Sequence, residues 1–222
     1  EYGAIFANSD VELNGVKEIV RSQETNMGDL ITDAMIWEVL KNGSLDVADD
    51  MVIAVMNGGA IRNSISVGGV AKKDINSILP FGNTLAVNYI TGEELLEALE
   101  ASTFSTPETI GGFPQISGMK ITIDTTKKYD QGDEYPDSTY FAPKSIVRVT
   151  IDEVNGKPFD SNATYAVVTN DYLAAGGDTY YAFKAAYDAG KGFDTGIFLD
   201  SALMNYISDK LGGTIGADYA EP

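Results

Sequence analysis

The chain has 222 residues, 33 of them acidic and 15 basic, for a formal net charge of -18. Such a surface disfavours nucleic-acid polymers and anionic membranes, whose binding needs clustered Lys and Arg. Cysteine and histidine are both absent, which excludes disulfides, thiolate nucleophiles and zinc-thiolate sites and removes imidazole from acid–base and metal chemistry.

Hydrophobic residues make up 44% and charged residues 22% of the chain, the balance of a globular domain with a sizeable core. No apolar run approaches the roughly 18 residues that span a bilayer. The opening residues, Glu1-Tyr2-Gly3-Ala4-Ile5-Phe6, lack the basic region and long apolar core of a signal peptide and read as a chain entered partway through a longer protein. Residues 1–21 mix short apolar patches with Asn14-Gly15 and read as an entry segment. From Glu24 to Gly43, Met27, Leu30, Ile31, Ala34, Met35, Val39 and Leu40 recur at helical spacing. Thr25 or Asn26 is the expected cap of this helix, and Gly43 its expected end. Asp33 lies among its apolar neighbours, so its carboxylate should be paired.

Met51 to Met56 is a short continuous apolar run, the pattern of a buried strand. Lys73 to Leu79 predicts one or two helical turns stopped by Pro80. Thr84 to Ile90 predicts a strand, and Thr91 with Glu94 forms a capping box for a helix through Ala101. Thr103 to Gly118 is loop-like, with Pro107, Gly111, Gly112 and Pro114. Met119 to Asp124 alternates as a half-buried strand does. Lys127 to Pro143 reads as a long surface excursion. Ile146 to Ile151 and Thr164 to Thr169 look like hairpin-related strands with Asn155-Gly156 in their connection. Residues 179–189 and 197–211 read as two closing helices. The economical architecture is α+β, a single domain over residues 1–222, with a mixed β-sheet packed with helices.

Two loops follow apolar runs and carry ligand-type groups. Asn57-Gly58-Gly59-Ala60-Ile61-Arg62 supplies an amide and a guanidinium, whose fixed fork suits hydroxyl, carboxylate or phosphate. Without a terminal Lys-Ser/Thr it is not a P-loop. Asn170 to Asp178 supplies Tyr172 as a flat face and Asp178 as an acceptor beside Gly176 and Gly177. Together they suggest a site for a small polar molecule with an aromatic part. Pro80-Phe81-Gly82-Asn83 and Gly111 to Gly118 each place an aromatic in a glycine-bearing loop, where a core phenylalanine beside a turn is the blander alternative. Asp49-Asp50 and the Asp130, Asp133, Glu134, Asp137 cluster lack the spacing of a calcium loop and suit solvated surface.

Taken in order, Glu24-Thr25-Asn26-Met27-Gly28-Asp29-Leu30-Ile31-Thr32-Asp33-Ala34, Asn57 to Arg62, Pro80 to Asn83, Gly112 to Gly118 and Asn170 to Asp178 resemble the C-terminal domain of the 5'-nucleotidase family. That family includes UDP-sugar hydrolases and ecto-5'-nucleotidases. The resemblance runs from about Arg21 to the last helix. It implies a nucleoside- or nucleotide-recognition domain of a phosphoester hydrolase, with no catalytic residue, metal ligand or cofactor of its own. The partner it implies is an N-terminal metallophosphatase domain carrying two divalent metal ions, which this chain lacks. By the same resemblance, Phe81 and Tyr172 sandwich the base, while Arg21, Asn57, Arg62 and Asp178 hold ribose hydroxyls and orient the substrate, and Gly59 is a further substrate-binding position. The parent is expected to be extracellular or at the cell surface, with no membrane insertion by this segment. Three positions depart from the pattern: Ala60 replaces a third glycine, Tyr172 stands where Phe is common, and Thr179 follows Asp178 where glycine is frequent. These leave base preference open. The alternatives are a stand-alone nucleoside-binding module, or the same domain from a 2',3'-cyclic-nucleotide phosphodiesterase or nucleotide-sugar hydrolase.

Overall fold

Val52 to Asn57, strand β2, is buried at every position, so both of its faces must be covered. A computed structural model describing residues 1–222 shows how. Ahead of β2 come β1 (Ile5–Ser9), a single turn α1 (Lys17–Val20) and the long α2 (Asn26–Lys41). After it run β3 (Gly68–Ala71), α3 (Lys72–Ile78), β4 (Thr84–Thr91), α4 (Gly92–Ser102), β5 (Pro114–Ser117) and β6 (Met119–Ile123). The second half holds β7 (Gln131–Glu134), β8 (Phe141–Pro143), β9 (Val149–Val154), β10 (Lys157–Pro158) and β11 (Thr164–Asn170). It closes with α5 (Asp171–Ala174), α6 (Tyr181–Asp188), β12 (Gly192–Phe198), α7 (Leu199–Asn205) and β13 (Thr214–Ile215). The fold is a single α+β domain with mixed sheets packed with helices.

The central sheet has the order β12-β4-β11-β2-β5. Within it β11 and β2 are parallel, and every other pairing is antiparallel. Side chains alternate across it as strand geometry requires. Val52, Ala54, Met56, Ala166 and Val168 enter one core, which α2, α3 and α7 cover. Ile53, Val55, Tyr165 and Val167 enter a second core beneath α4, α6 and β9. Burial on both faces explains why β2 is an unbroken apolar run.

The expected helices largely form. Thr25 Oγ1 accepts from the Gly28 N–H at 3.1 Å and caps α2. Thr91 and Glu94 exchange the reciprocal bonds of a capping box at the start of α4, at 3.1 and 3.0 Å. Asp33 is paired, as its setting required. It accepts from Ser117 Oγ at 2.5 Å and from the Tyr219 hydroxyl at 2.6 Å, joining α2 to β5 and to the C-terminal tail.

Other expectations are corrected. The entry segment contains β1, which pairs with β3 and with β13 from the far end of the chain. The loop-like stretch 103–118 contains β5, an edge strand on β2. The surface excursion carries the small β7–β8 hairpin. Strands β9 and β11 are not hairpin partners: β9 pairs with β6 and β10, whereas β11 lies between β4 and β2. Asn155 and Gly156 instead turn β9 into β10, with φ of 48° and 78°, the two positive values a tight hairpin needs. A strand, β12, fills most of the interval between the closing helices and extends into the span expected for the second, so that α7 starts only at Leu199.

Candidate nucleoside cleft

Sheet register brings four distant loops to one end of the molecule. Because β2 and β11 are parallel, the loops that follow Asn57 and Asn170 leave the sheet side by side. Antiparallel β4 begins where β11 ends, with Asn170 opposite Leu85, so the Phe81 turn lies at the same end. Antiparallel β5 begins opposite the end of β2, Asn57 facing Pro114, which adds the loop before Pro114. Ligands of open α/β sheets bind outside the carboxyl ends of parallel strands for this reason.

The loops are fastened to one another through their backbones. The Gly58 N–H donates to Phe113 O at 2.8 Å, and the Gly59 N–H to Gly111 O at 2.9 Å. A Cβ at Gly58 would stand 1.9 Å from Val20 O, so glycine is needed there for close approach. Gln115, buried, donates to Val20 O at 3.0 Å and Gln23 O at 2.9 Å and accepts from the Thr25 N–H at 3.2 Å. It thereby holds the segment that carries Arg21.

Between the loops lies a cleft of about 530 Å³ lined by Arg21, Asn57, Gly59, Phe81, Tyr172 and Asp178, with Ala60, Asn83 and Gly111 completing the wall. Phe81 is 56% and Tyr172 50% exposed, although large aromatic side chains normally bury themselves. Arg62 is not on this wall. Its guanidinium lies 5.2 Å from the centre of the Phe81 ring, a cation–π contact that backs the aromatic. The buried Nε of Arg21 has no hydrogen-bond partner, a donor left open for an acceptor.

Asp178 is held from two sides. The Asn57 amide donates to its Oδ2 at 3.2 Å, and the Tyr172 hydroxyl to its Oδ1 at 3.0 Å. The Asp178 N–H donates back to that hydroxyl at 3.2 Å. Burial first, and then the Asp178 charge, push the Tyr172 phenol above its ordinary range, so it remains a donor. A Cβ at Gly177 would lie 2.5 Å from the Tyr172 ring, so one face of the ring rests on bare backbone. A second cleft, about 1040 Å³, shares Tyr172 and Asp178 and is rimmed by Glu134, Asp137 and Tyr140. It is the larger, but it lacks Arg21, Asn57 and Phe81, and convergent polar groups mark a site better than volume does.

Two residues that support the cleft stand in motifs the sequence singled out, but their supporting roles could not be read there. Asn170 is fully buried and its amide donates to Asn57 Oδ1 at 3.0 Å; nothing in linear spacing joins positions 57 and 170. Gln115 sits in a stretch that resembled a loop. Across the whole chain no group of three or more His, Cys, Asp or Glu side chains converges as a metal site would require. The residues present therefore do not fit a dimetal centre.

These features define a single domain of the α+β class, with a cleft at the carboxyl end of a parallel strand pair. The sequence model described as "5'-nucleotidase, C-terminal domain" matches residues 6–185, and the chain belongs to that family. It is 33% identical over 213 residues to the trifunctional nucleotide phosphoesterase protein YfkN of Bacillus subtilis, covering 93% of this chain and 13% of that protein. A snake venom 5'-nucleotidase of Macrovipera lebetinus is 29% identical over 187 residues, covering 82% of this chain and 44% of that protein. The crystal structure of a 5'-nucleotidase precursor from Thermus thermophilus superposes with a TM-score of 0.76 at 34% identity, over 96% of this chain and 37% of that one. The chain thus spans less than half the length of these relatives. No helix is long and apolar enough to cross a membrane.

Proposed function

We propose that this chain is the substrate-recognition domain of a 5'-nucleotidase-type hydrolase and that its cleft takes the nucleoside part of the substrate. The carrying observation is the pair of exposed rings, Phe81 and Tyr172, on the wall of one cleft with Arg21, Asn57 and Asp178. In this reading the base lies between the rings, and the carboxylate of Asp178 accepts from ribose hydroxyls. Asn57 and Arg21 donate to ribose or phosphate oxygens, and Gly59 lets the occupant approach the backbone. Arg62 works from behind, its cation on the Phe81 ring. The chemistry on phosphate belongs to an N-terminal metallophosphatase domain with two divalent metals, and the parent is extracellular or at the cell surface. The names of the relatives support a phosphoester hydrolase. The name of the Bacillus subtilis relative, a trifunctional nucleotide phosphoesterase, favours a second reading in which the same cleft serves several kinds of nucleotide ester, cyclic nucleotides or nucleotide sugars among them.

Titration of the chain with adenosine, followed by amide NMR shifts, tests this. Base–aromatic stacking contributes roughly 1–3 kcal/mol per base, so half of a split site should bind at about millimolar Kd. Shifts should cluster at 57–62, 81–83 and 172–178 and weaken in Phe81→Ala and Tyr172→Ala. Saturating shifts elsewhere, or alanine variants that bind as well as wild type, overturn the clamp. With AMP and added manganese, cobalt or zinc the chain alone should show no phosphate release. Release that a chelator abolishes would break the division of labour.

A further inference from the structure

We propose that Asn170 is a positioning residue of the cleft: buried behind it, Asn170 fixes which way the amide of Asn57 points, and Asn57 in turn holds Asp178. The occupant itself is the one proposed above, and only the binding arm of the test depends on it.

The polarity of the relay begins at a helix end. Leu173 N–H, in the first turn of α5, lacks a partner within its helix and takes Asn170 Oδ1 at 2.8 Å. That bond commits the oxygen of Asn170 to the helix and turns its NH₂ toward Asn57, whose Oδ1 it meets at 3.0 Å. The oxygen of Asn57 is then occupied, so its NH₂ faces Asp178 Oδ2 at 3.2 Å. The reversed amide would set an oxygen against a carboxylate, which repels. Each amide therefore has one permitted orientation, and the capping bond sets both. An amide NH₂ has two donors; Asn57 spends one on Asp178, and its place on the cleft wall leaves the second for an occupant. On the far side the Tyr172 hydroxyl closes the ring on Asp178 Oδ1. Asn170 has none of its surface exposed, so it acts only through Asn57.

Two substitutions separate this role from capping. Asn170→Ser keeps a good N-cap but is too short to reach Asn57. Asn170→Asp keeps cap and length but presents an acceptor where Asn57 needs a donor. The first readout needs no ligand: the side-chain NH₂ signals of Asn57 in ¹⁵N–¹H spectra, identified by their loss in Asn57→Ala. In wild type they should exchange slowly with water, and in both Asn170 variants they should shift and exchange fast. The second readout is adenosine affinity in a double-substitution cycle. Asn170→Ser should weaken binding about fivefold in the wild-type background, the worth of roughly one hydrogen bond. In the Asn57→Ala background it should weaken binding by less than about twofold, because the route through Asn57 is gone.

Unchanged Asn57 signals in both variants, or equal loss of affinity in both backgrounds, overturn the proposal. If wild type binds no adenosine, the nucleoside reading falls, and the Asn57 signals alone decide the relay. If Asn170→Ser does not fold, Asn170→Asp carries both readouts. If neither folds, Asn170 holds the fold instead of the amide, and the proposal is overturned.

Discussion

Asp33 and Asp178 are both carboxylates whose two oxygens are taken by side chains of this chain, one of them always by a tyrosine hydroxyl. At Asp33 the donors are Ser117 at 2.5 Å and Tyr219 at 2.6 Å, and Tyr219 is backed by the Tyr206 hydroxyl at 2.8 Å. At Asp178 they are Asn57 at 3.2 Å and Tyr172 at 3.0 Å. The first set is short and enclosed: Tyr219 is 9% exposed. The second is longer and stands on a cleft wall, with Tyr172 at 50% exposure. A carboxylate closed in by its own chain stabilises the fold, because removing it strands buried donors. A carboxylate held loosely at an open wall keeps acceptor capacity for something else.

Three changes sharpen that contrast. The largest effect is expected from Asp33→Ala, which should lower stability by about 1–3 kcal/mol, the cost of leaving the buried Tyr219 hydroxyl and the half-buried Ser117 without their acceptor. Urea denaturation measures this, and adenosine affinity should stay within about twofold. A midpoint equal to wild type would mean that the Asp33 knot is ornamental. Asp178→Ala should do the reverse. Adenosine affinity should fall about tenfold, near 1.4 kcal/mol, while the thermal midpoint moves by no more than about 2 °C. A large loss of stability with little change in binding would erase the distinction between the two sites.

The smallest effect concerns Asp29, one turn before Asp33 on α2. Burial, then a hydrogen bond and charge repulsion from Glu24, push its carboxyl up to about 8. A raised carboxyl means that the native state binds more protons than the unfolded chain between about pH 4 and pH 8. The associated stability is full below the unfolded value and is lost as pH rises through that window. Asp29 is partly exposed, so solvent screening keeps the change modest, about 2 °C in melting temperature. Asp29→Asn should flatten the decline, and an identical pH profile in the variant would remove Asp29 as its source.

Much of the site was legible in the chain as a series of loops. Asn57, Gly59, Phe81, Tyr172 and Asp178 stand in glycine-bearing loops after or before apolar runs, and the register of the sheet gathers them on one wall with Arg21. Arg62 shares the Asn57 loop, yet it lies over the Phe81 ring, because its backbone N–H is tied to Ile78 O at 2.9 Å. Asn170 and Gln115 were not legible as supports, since their partners lie at distant positions in the chain.

Local order determined what the sequence could state alone. The helical spacing in α2, the capping box at Thr91, the apolar run of β2 and the Asn155-Gly156 turn are contained in short stretches, where propensity and periodicity act. Which strands pair was decided only in three dimensions. Nothing in the alternation of β9 and β11 distinguishes partners from strangers; they separate because β11 is buried between β2 and β4, while β9 pairs with β6 in a separate small sheet that packs on the second core. Strands such as β1, at the centre of its small sheet, and β5 and β12, at the edges of the large one, are stabilised by neighbours contributed from elsewhere in the chain. The cleft itself belongs to this second class, because the four loops around it come together only when β2 and β11 run parallel and β4 and β5 run against them.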